Sequence, residues 1–206
     1  MKMTGEKMKE EQNDNQAQIV TQSAVPHVDF SFQFNTAKEY AKVEKKIFEY
    51  ICEVSKKCFE NDVSKGLLIV LGIFDNSKEH IVTGMRQIGK NPIQKYLSII
   101  TSAHKKEIMP MMLENYDGAF IVNRNGQLLG VGIYLTVDNP NLDIPDGSGT
   151  RHITAASFST EEHVQAIFTL SEETNTVRVW KNGTFVEQFN PLEAQSNAAD
   201  DDNDEK

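Results

Sequence analysis

Three short polar runs in this chain combine residue types that bind phosphates and cations. Gly149-Thr150-Arg151-His152 stands where a helix is predicted to begin. Free amides, the positive end of the helix dipole and a guanidinium together suit a polyphosphate there, and His152 adds a donor when protonated. Asp117-Gly118-Ala119 precedes an apolar run. Its glycine lets a ligand approach the backbone, and its carboxylate can bind a divalent cation or orient a hydroxyl. Ser171-Glu172-Glu173-Thr174 follows another apolar run and offers two adjacent carboxylates to a metal or to hydrogen-bond donors. Arg86 and Lys90 lie between elements, within reach of a phosphate or simply solvated.

Each run also has a plainer reading. Asp-Gly is a common turn pair. Thr150 can serve as a helix cap with Arg151 paired to Glu161 or Glu162, and the Ser171 run can be a polar turn between strands.

The elements that must position these runs follow from periodicity. Residues 28–34 alternate apolar and polar side chains, as a half-buried strand does. Thr36 and Glu39 form a capping box, and Ala37, Tyr40, Ala41, Ile47, Phe48, Ile51, Val54 and Cys58 recur at helical spacing up to about residue 59. Such a stripe packs on a sheet or on a neighbouring subunit. Residues 66–74 are apolar throughout, which predicts a central strand covered on both faces. Asp75-Asn76-Ser77 turns the chain toward a strand over 80–83, and Asn91-Pro92 predicts a helix start carrying Ile93, Tyr96, Leu97 and Ile100. A short apolar helix follows over 108–113. Asn125-Gly126 between runs 118–124 and 127–135 predicts a hairpin with a type I′ turn, as does Asn182-Gly183 between 176–180 and 184–189. A helix over 150–159 and a buried strand over 164–170 complete the pattern.

Composition excludes several classes. The net charge of -9 is concentrated at the C-terminus, where residues 193–206 hold six acids against Lys206. The remainder is only mildly acidic, which argues against a sequence-independent nucleic-acid binder. Cys52 and Cys58 fit neither a zinc knuckle nor a disulfide scaffold and read as buried or half-buried thiols. No apolar run approaches a membrane span and no secretory signal opens the chain, so a cytoplasmic protein without membrane attachment is expected. Residues 1–28 and 191–206 read as disordered tails, the second acidic.

In order and spacing, Asp117-Gly118-Ala119, Tyr134-Leu135, Gly149-Thr150-Arg151-His152 with Ala155-Ala156, and Ser171-Glu172-Glu173-Thr174 closely resemble the diadenylate cyclase domain family. The resemblance implies an α/β fold, a central mixed β-sheet flanked by helices on both faces, over residues 63–190, with residues 29–62 as an N-terminal strand and helix extension. It also implies joining of two ATP molecules into cyclic di-AMP with release of two pyrophosphates, between two facing copies of the domain in a homo-oligomer, with Mn2+ or Mg2+. Carried over by position, Asp117 would bind the metal and help activate a ribose hydroxyl, and Gly118 and Ala119 would shape the ribose site. Leu135 would offer its backbone to adenine. Gly149, Thr150, Arg151 and His152 would hold phosphates, with Ser171, Glu172 and Glu173 at the phosphate and metal end.

Two positions depart from the family's common pattern. Tyr116 stands where many members have a metal-binding His, and Ile153 stands where many have a third basic residue. These departures sustain a rival expectation, a nucleotide-binding regulatory module with the same fold and no turnover.

Overall fold

The computed structural model describes residues 37–74, 84–114, 116–136 and 149–195. Its centre is β1 (Leu67–Gly72), every residue of which is buried. β1 runs parallel to β3 (Ala119–Asn123) on one side and antiparallel to β5 (Val164–Leu170) on the other. With β2 (Met85–Gln87), β4 (Leu128–Leu135), β6 (Val177–Lys181) and β7 (Thr184–Phe189) it forms a mixed seven-stranded sheet in the order β2-β4-β3-β1-β5-β6-β7.

A strand apolar on both faces needs two covers, and helices supply them. On one face, α1 (Ala37–Glu60) and α2 (Lys105–Leu113) pack Ile47, Ile51, Val54, Ile108 and Met112 against Ile69, Leu71, Phe120 and Phe168. On the other, α3 (Thr150–Phe158) sets Ala155, Ala156 and Phe158 against Val70, Ile121, Ile167 and Trp180. The apolar stripe of α1 is therefore spent on its own sheet. Ser55 Oγ donates to the Asn175 carbonyl at 2.6 Å and Lys181 pairs with Glu44 at 2.5 Å, tying the helix to the β5–β6 side. Both thiols sit within this packing. Burial pushes Cys52 up to about 12 and also raises Cys58, so neither is a thiolate nucleophile.

Three local expectations are corrected. Residues 91–100 form no helix. Asn91 instead binds the sheet, donating through Nδ2 to the Leu129 carbonyl at 2.9 Å and accepting at Oδ1 from the amides of Ile93 and Val131. The chain then lies along the β3–β4 hairpin through Ile99 N–H to the Gly126 carbonyl and Leu128 N–H to the Leu97 carbonyl, burying Leu97 and Ile99. Side-chain competition for backbone groups outweighs the helical spacing here.

The Asn125-Gly126 turn is not type I′. Only Gly126 has positive φ, at 76°, and its amide bonds the Asn123 carbonyl, the three-residue form of hairpin. At the second hairpin both Asn182 (48°) and Gly183 (84°) have positive φ, as a type I′ turn demands. Residues 191–195, expected in the tail, are helical.

The expected strands over 28–34 and 80–83, the Thr36 cap, the turn at Asp75 and most of both tails lie outside the described residues. Among the described residues, no helix is long and apolar enough to cross a membrane.

Candidate functional site

At one end of the sheet β1 and β3 begin and β4 and β5 finish, and there a cleft of about 630 Å³ opens against the N-terminus of α3. Its size and its mixed lining suit a small organic ligand. All of Asp117, Gly118, Ala119, Leu135, Gly149, Thr150, Arg151, His152, Ser171, Glu172 and Glu173 line it. Arg86 and Lys90 do not. Arg86 instead lies over the ring of Tyr134, 5.5 Å from its centroid, beside the cleft.

Gly118 holds the Asp117 turn against β4. Its φ is +93°, and a Cβ there would come within 2.8 Å of the Ile133 carbonyl and 2.9 Å of its amide. Only glycine satisfies both the backbone angle and the close approach. Opposite it, Gly132 (φ +77°) is the extra residue of a β-bulge, since Ala119 pairs with Ile133 and Phe120 already with Val131. The bulge turns Ile133 toward the α3 face.

At the helix end the cap is Gly149, not Thr150. A glycine cap has no side chain to occupy the first amides of α3; the His152 amide donates to the Gly149 carbonyl at 2.9 Å, while those of Thr150 and Arg151 have no acceptor among the described residues. Those donors and the helix dipole remain available to an anion.

Arg151 does not pair with Glu161 or Glu162. Its Nη1 lies 3.8 Å from Glu172 Oε2 across the cleft, a long and partly exposed contact of about 0–1 kcal/mol. The guanidinium rests against the backbone at Gly66, where a Cβ would meet Nη1 at 1.9 Å. Beneath it, the buried Lys65 ammonium donates to the Glu114 carbonyl, anchoring the segment that leads to Asp117. Burial lowers the pKa of Lys65.

His152 sits with its ring centroid 5.8 Å from that of Trp180. Burial first, then the charges of Arg178 and Arg151, lowers its pKa below the ordinary 6.5. That direction favours the neutral imidazole, which offers one N–H and one acceptor nitrogen.

Among the described residues, no three His, Cys, Asp or Glu side chains converge as a metal cage. Asp117, with Glu172 lining the same cleft, still fits a hard divalent cation that takes one or two carboxylates and completes its shell with substrate phosphates and water.

Sequence reasoning missed Gly66, Leu68, Thr154 and Arg178, which also line the cleft. Arg178 occupies a polar position in an alternating strand, where an arginine reads as solvent-facing. No local signal marks Gly66 as the seat of a guanidinium 85 residues further on.

Residues 61–185 match the family described as DisA bacterial checkpoint controller nucleotide-binding, abbreviated DAC. A diadenylate cyclase of Haloferax volcanii is 28% identical over 148 residues, covering 70% of this chain and 51% of the relative. A diadenylate cyclase of Methanocaldococcus jannaschii is 37% identical over 79 residues, covering 38% of this chain and 25% of the relative. The chain thus spans about half the length of the first of these curated relatives and a quarter of the second. A solved structure of a hypothetical membrane spanning protein from Bacillus cereus superposes with a TM-score of 0.50 at 21% identity, over 69% of this chain and 61% of that one, a likeness of fold.

Proposed function

The chain belongs to the DAC nucleotide-binding family, and from that premise we propose that it is a diadenylate cyclase, joining two ATP molecules into cyclic di-AMP with release of two pyrophosphates. The observation that carries this reading is the convergence of Asp117, the Thr150-Arg151-His152 helix start and the Ser171–Glu173 turn in one cleft.

In this reading the cleft holds one ATP. Gly118 and Ala119 leave room for the ribose, and the backbone at Leu135 meets the adenine edge. The free amides of α3, Thr150 and Arg151 hold the phosphates, and neutral His152 donates its single N–H to them. Glu172 steers Arg151, and Ser171 with Glu173 borders the phosphate end. Asp117, with Glu172, would hold Mn2+ or Mg2+, which when bound offsets charge on the phosphates and favours ionisation of the ribose 3′-hydroxyl. Each 3′-hydroxyl gives its proton to water as its oxygen forms a bond to the α-phosphorus of the other nucleotide, while the bond from that phosphorus to the α–β bridging oxygen breaks and pyrophosphate leaves. Because one cleft presents one nucleotide, both attacks require a second copy facing the first, so catalysis is chiefly positioning and charge stabilisation. The reaction is assigned to the cytoplasm, where ATP is abundant.

The test is mass-spectrometric detection of cyclic di-AMP after incubation with ATP and Mn2+ or Mg2+, alongside Asp117→Asn. Product from the wild type and none from the variant is expected. Tyr116 and Ile153 favour the second reading, a nucleotide-binding module without turnover, and ATP binding with no product would select it.

A further inference from the structure

Two guanidiniums line the cleft, and their surroundings differ. Arg151 has the Glu172 carboxylate at 3.8 Å. Arg178, on β6, makes no ion pair among the described residues, and its polar partner there is a neutral amide, Gln188 Oε1, which accepts from Nε at 2.9 Å. Gln188 is its direct cross-strand neighbour on β7. The ring of Phe185 lies beneath the guanidinium, 5.4 Å from Cζ to the centroid. These two contacts fix the plane of the group through its Nε edge and one face. Among the described residues, neither terminal nitrogen has an acceptor, which leaves both for a ligand.

That arrangement is unlike a strand arginine that merely balances charge, which would have a carboxylate opposite it. A guanidinium oriented by a neutral side chain keeps its full charge, and two parallel N–H groups match the spacing of phosphate oxygens. Trp180, two residues along the same strand and so on the same face, lies beneath His152. The charge of Arg178 is near enough to that imidazole to disfavour its protonation.

We infer that Arg178 is a second phosphate-binding arginine of this cleft, taking non-bridging oxygens of the nucleotide's phosphate chain, with Gln188 as the residue that orients it. The inference rests on the nucleotide-binding reading of the cleft.

The experiment is calorimetric titration of the full chain with α,β-methylene ATP and Mg2+, and separately with adenosine, for the wild type, Arg178→Gln, Arg178→Lys and Gln188→Glu. Arg178→Gln is expected to weaken the analogue about ten- to a hundredfold, the loss of charge-assisted bonds, and to leave adenosine unchanged, with partial recovery in Arg178→Lys. Gln188→Glu is the decisive variant. It adds a cross-strand ion pair that a structural arginine would welcome, yet it neutralises a phosphate-binding one, so it should hold or raise the melting temperature while weakening the analogue. Unchanged analogue binding in Arg178→Gln, equal losses for analogue and adenosine, or full affinity in Gln188→Glu would each overturn the assignment. Failure of the wild type to bind either ligand would instead overturn the nucleotide-binding reading beneath it.

Discussion

The guanidinium of Arg151 occupies the space that a side chain on Gly66 would fill: a Cβ built there lies 1.9 Å from Nη1 and 2.2 Å from Cζ. The two residues come from the loop before β1 and the first turn of α3, and their contact sets where the arginine points into the cleft. The obstructing atoms are the end of a flexible side chain, so the fold can tolerate a methyl group if the arginine moves. Gly66→Ala should leave stability within about 0.5 kcal/mol of wild type while raising KM for ATP about tenfold. Thermal melts beside steady-state kinetics check this, and a large fall in melting temperature with unchanged KM would refute it.

Gly118 presents the opposite case, because its Cβ would meet backbone rather than a side chain and its φ is +93°. Gly118→Ala should destabilise the domain by about 1–3 kcal/mol and displace Asp117. Urea unfolding gives the first quantity and loss of product formation reports the second.

Acid sensitivity should track His152. Its folded pKa lies below the ordinary 6.5, through burial first and then Arg178 and Arg151. The unfolded chain thus takes up the proton more readily than the folded one. The stabilising contribution is complete above pH 6.5 and is lost as pH falls through the depressed folded value. His152→Gln should flatten that part of a stability-versus-pH curve, and an NMR titration should place the imidazole midpoint below 6.5. A midpoint at or above that value would refute the assignment.

Trp180 is the chain's single tryptophan, so its fluorescence reports from beneath the cleft. Its indole N–H donates to Thr169 Oγ1 at 2.9 Å in a buried contact. Thr169→Val orphans that donor and should cost about 1–3 kcal/mol. Nucleotide binding beside His152 should change the Trp180 emission in the wild type, and titration with ATP that leaves the spectrum constant would count against ligand in this cleft.

Much of the scaffold was legible because burial writes itself into periodicity. The unbroken apolar run of β1 and the three- and four-residue spacing of α1 each state how many faces are covered, and both elements formed where expected. The Asn182-Gly183 turn was legible for a backbone reason, since both residues tolerate positive φ. The same dipeptide logic failed at Asn125, where the hydrogen bond from Gly126 to Asn123 selects a three-residue loop. The 91–100 segment failed because its helical spacing was outweighed by the bonds from Asn91 to a strand nearly forty residues away.

The polar runs carried their own chemistry in residue type, and the order of those runs identified the family that residues 61–185 match. Their meeting was decided only by the sheet. With β1 between β3 and β5, the start of β3, the end of β5 and the helix that precedes β5 come to one end of the domain, which is how Asp117, Arg151 and Glu172 share a cleft. Local pattern states which face of a strand is buried, whereas strand order is set by pairings between distant segments. The lowered pKa of His152, the seat of Arg151 at Gly66 and the neutral partner of Arg178 at Gln188 all depend on neighbours of that kind.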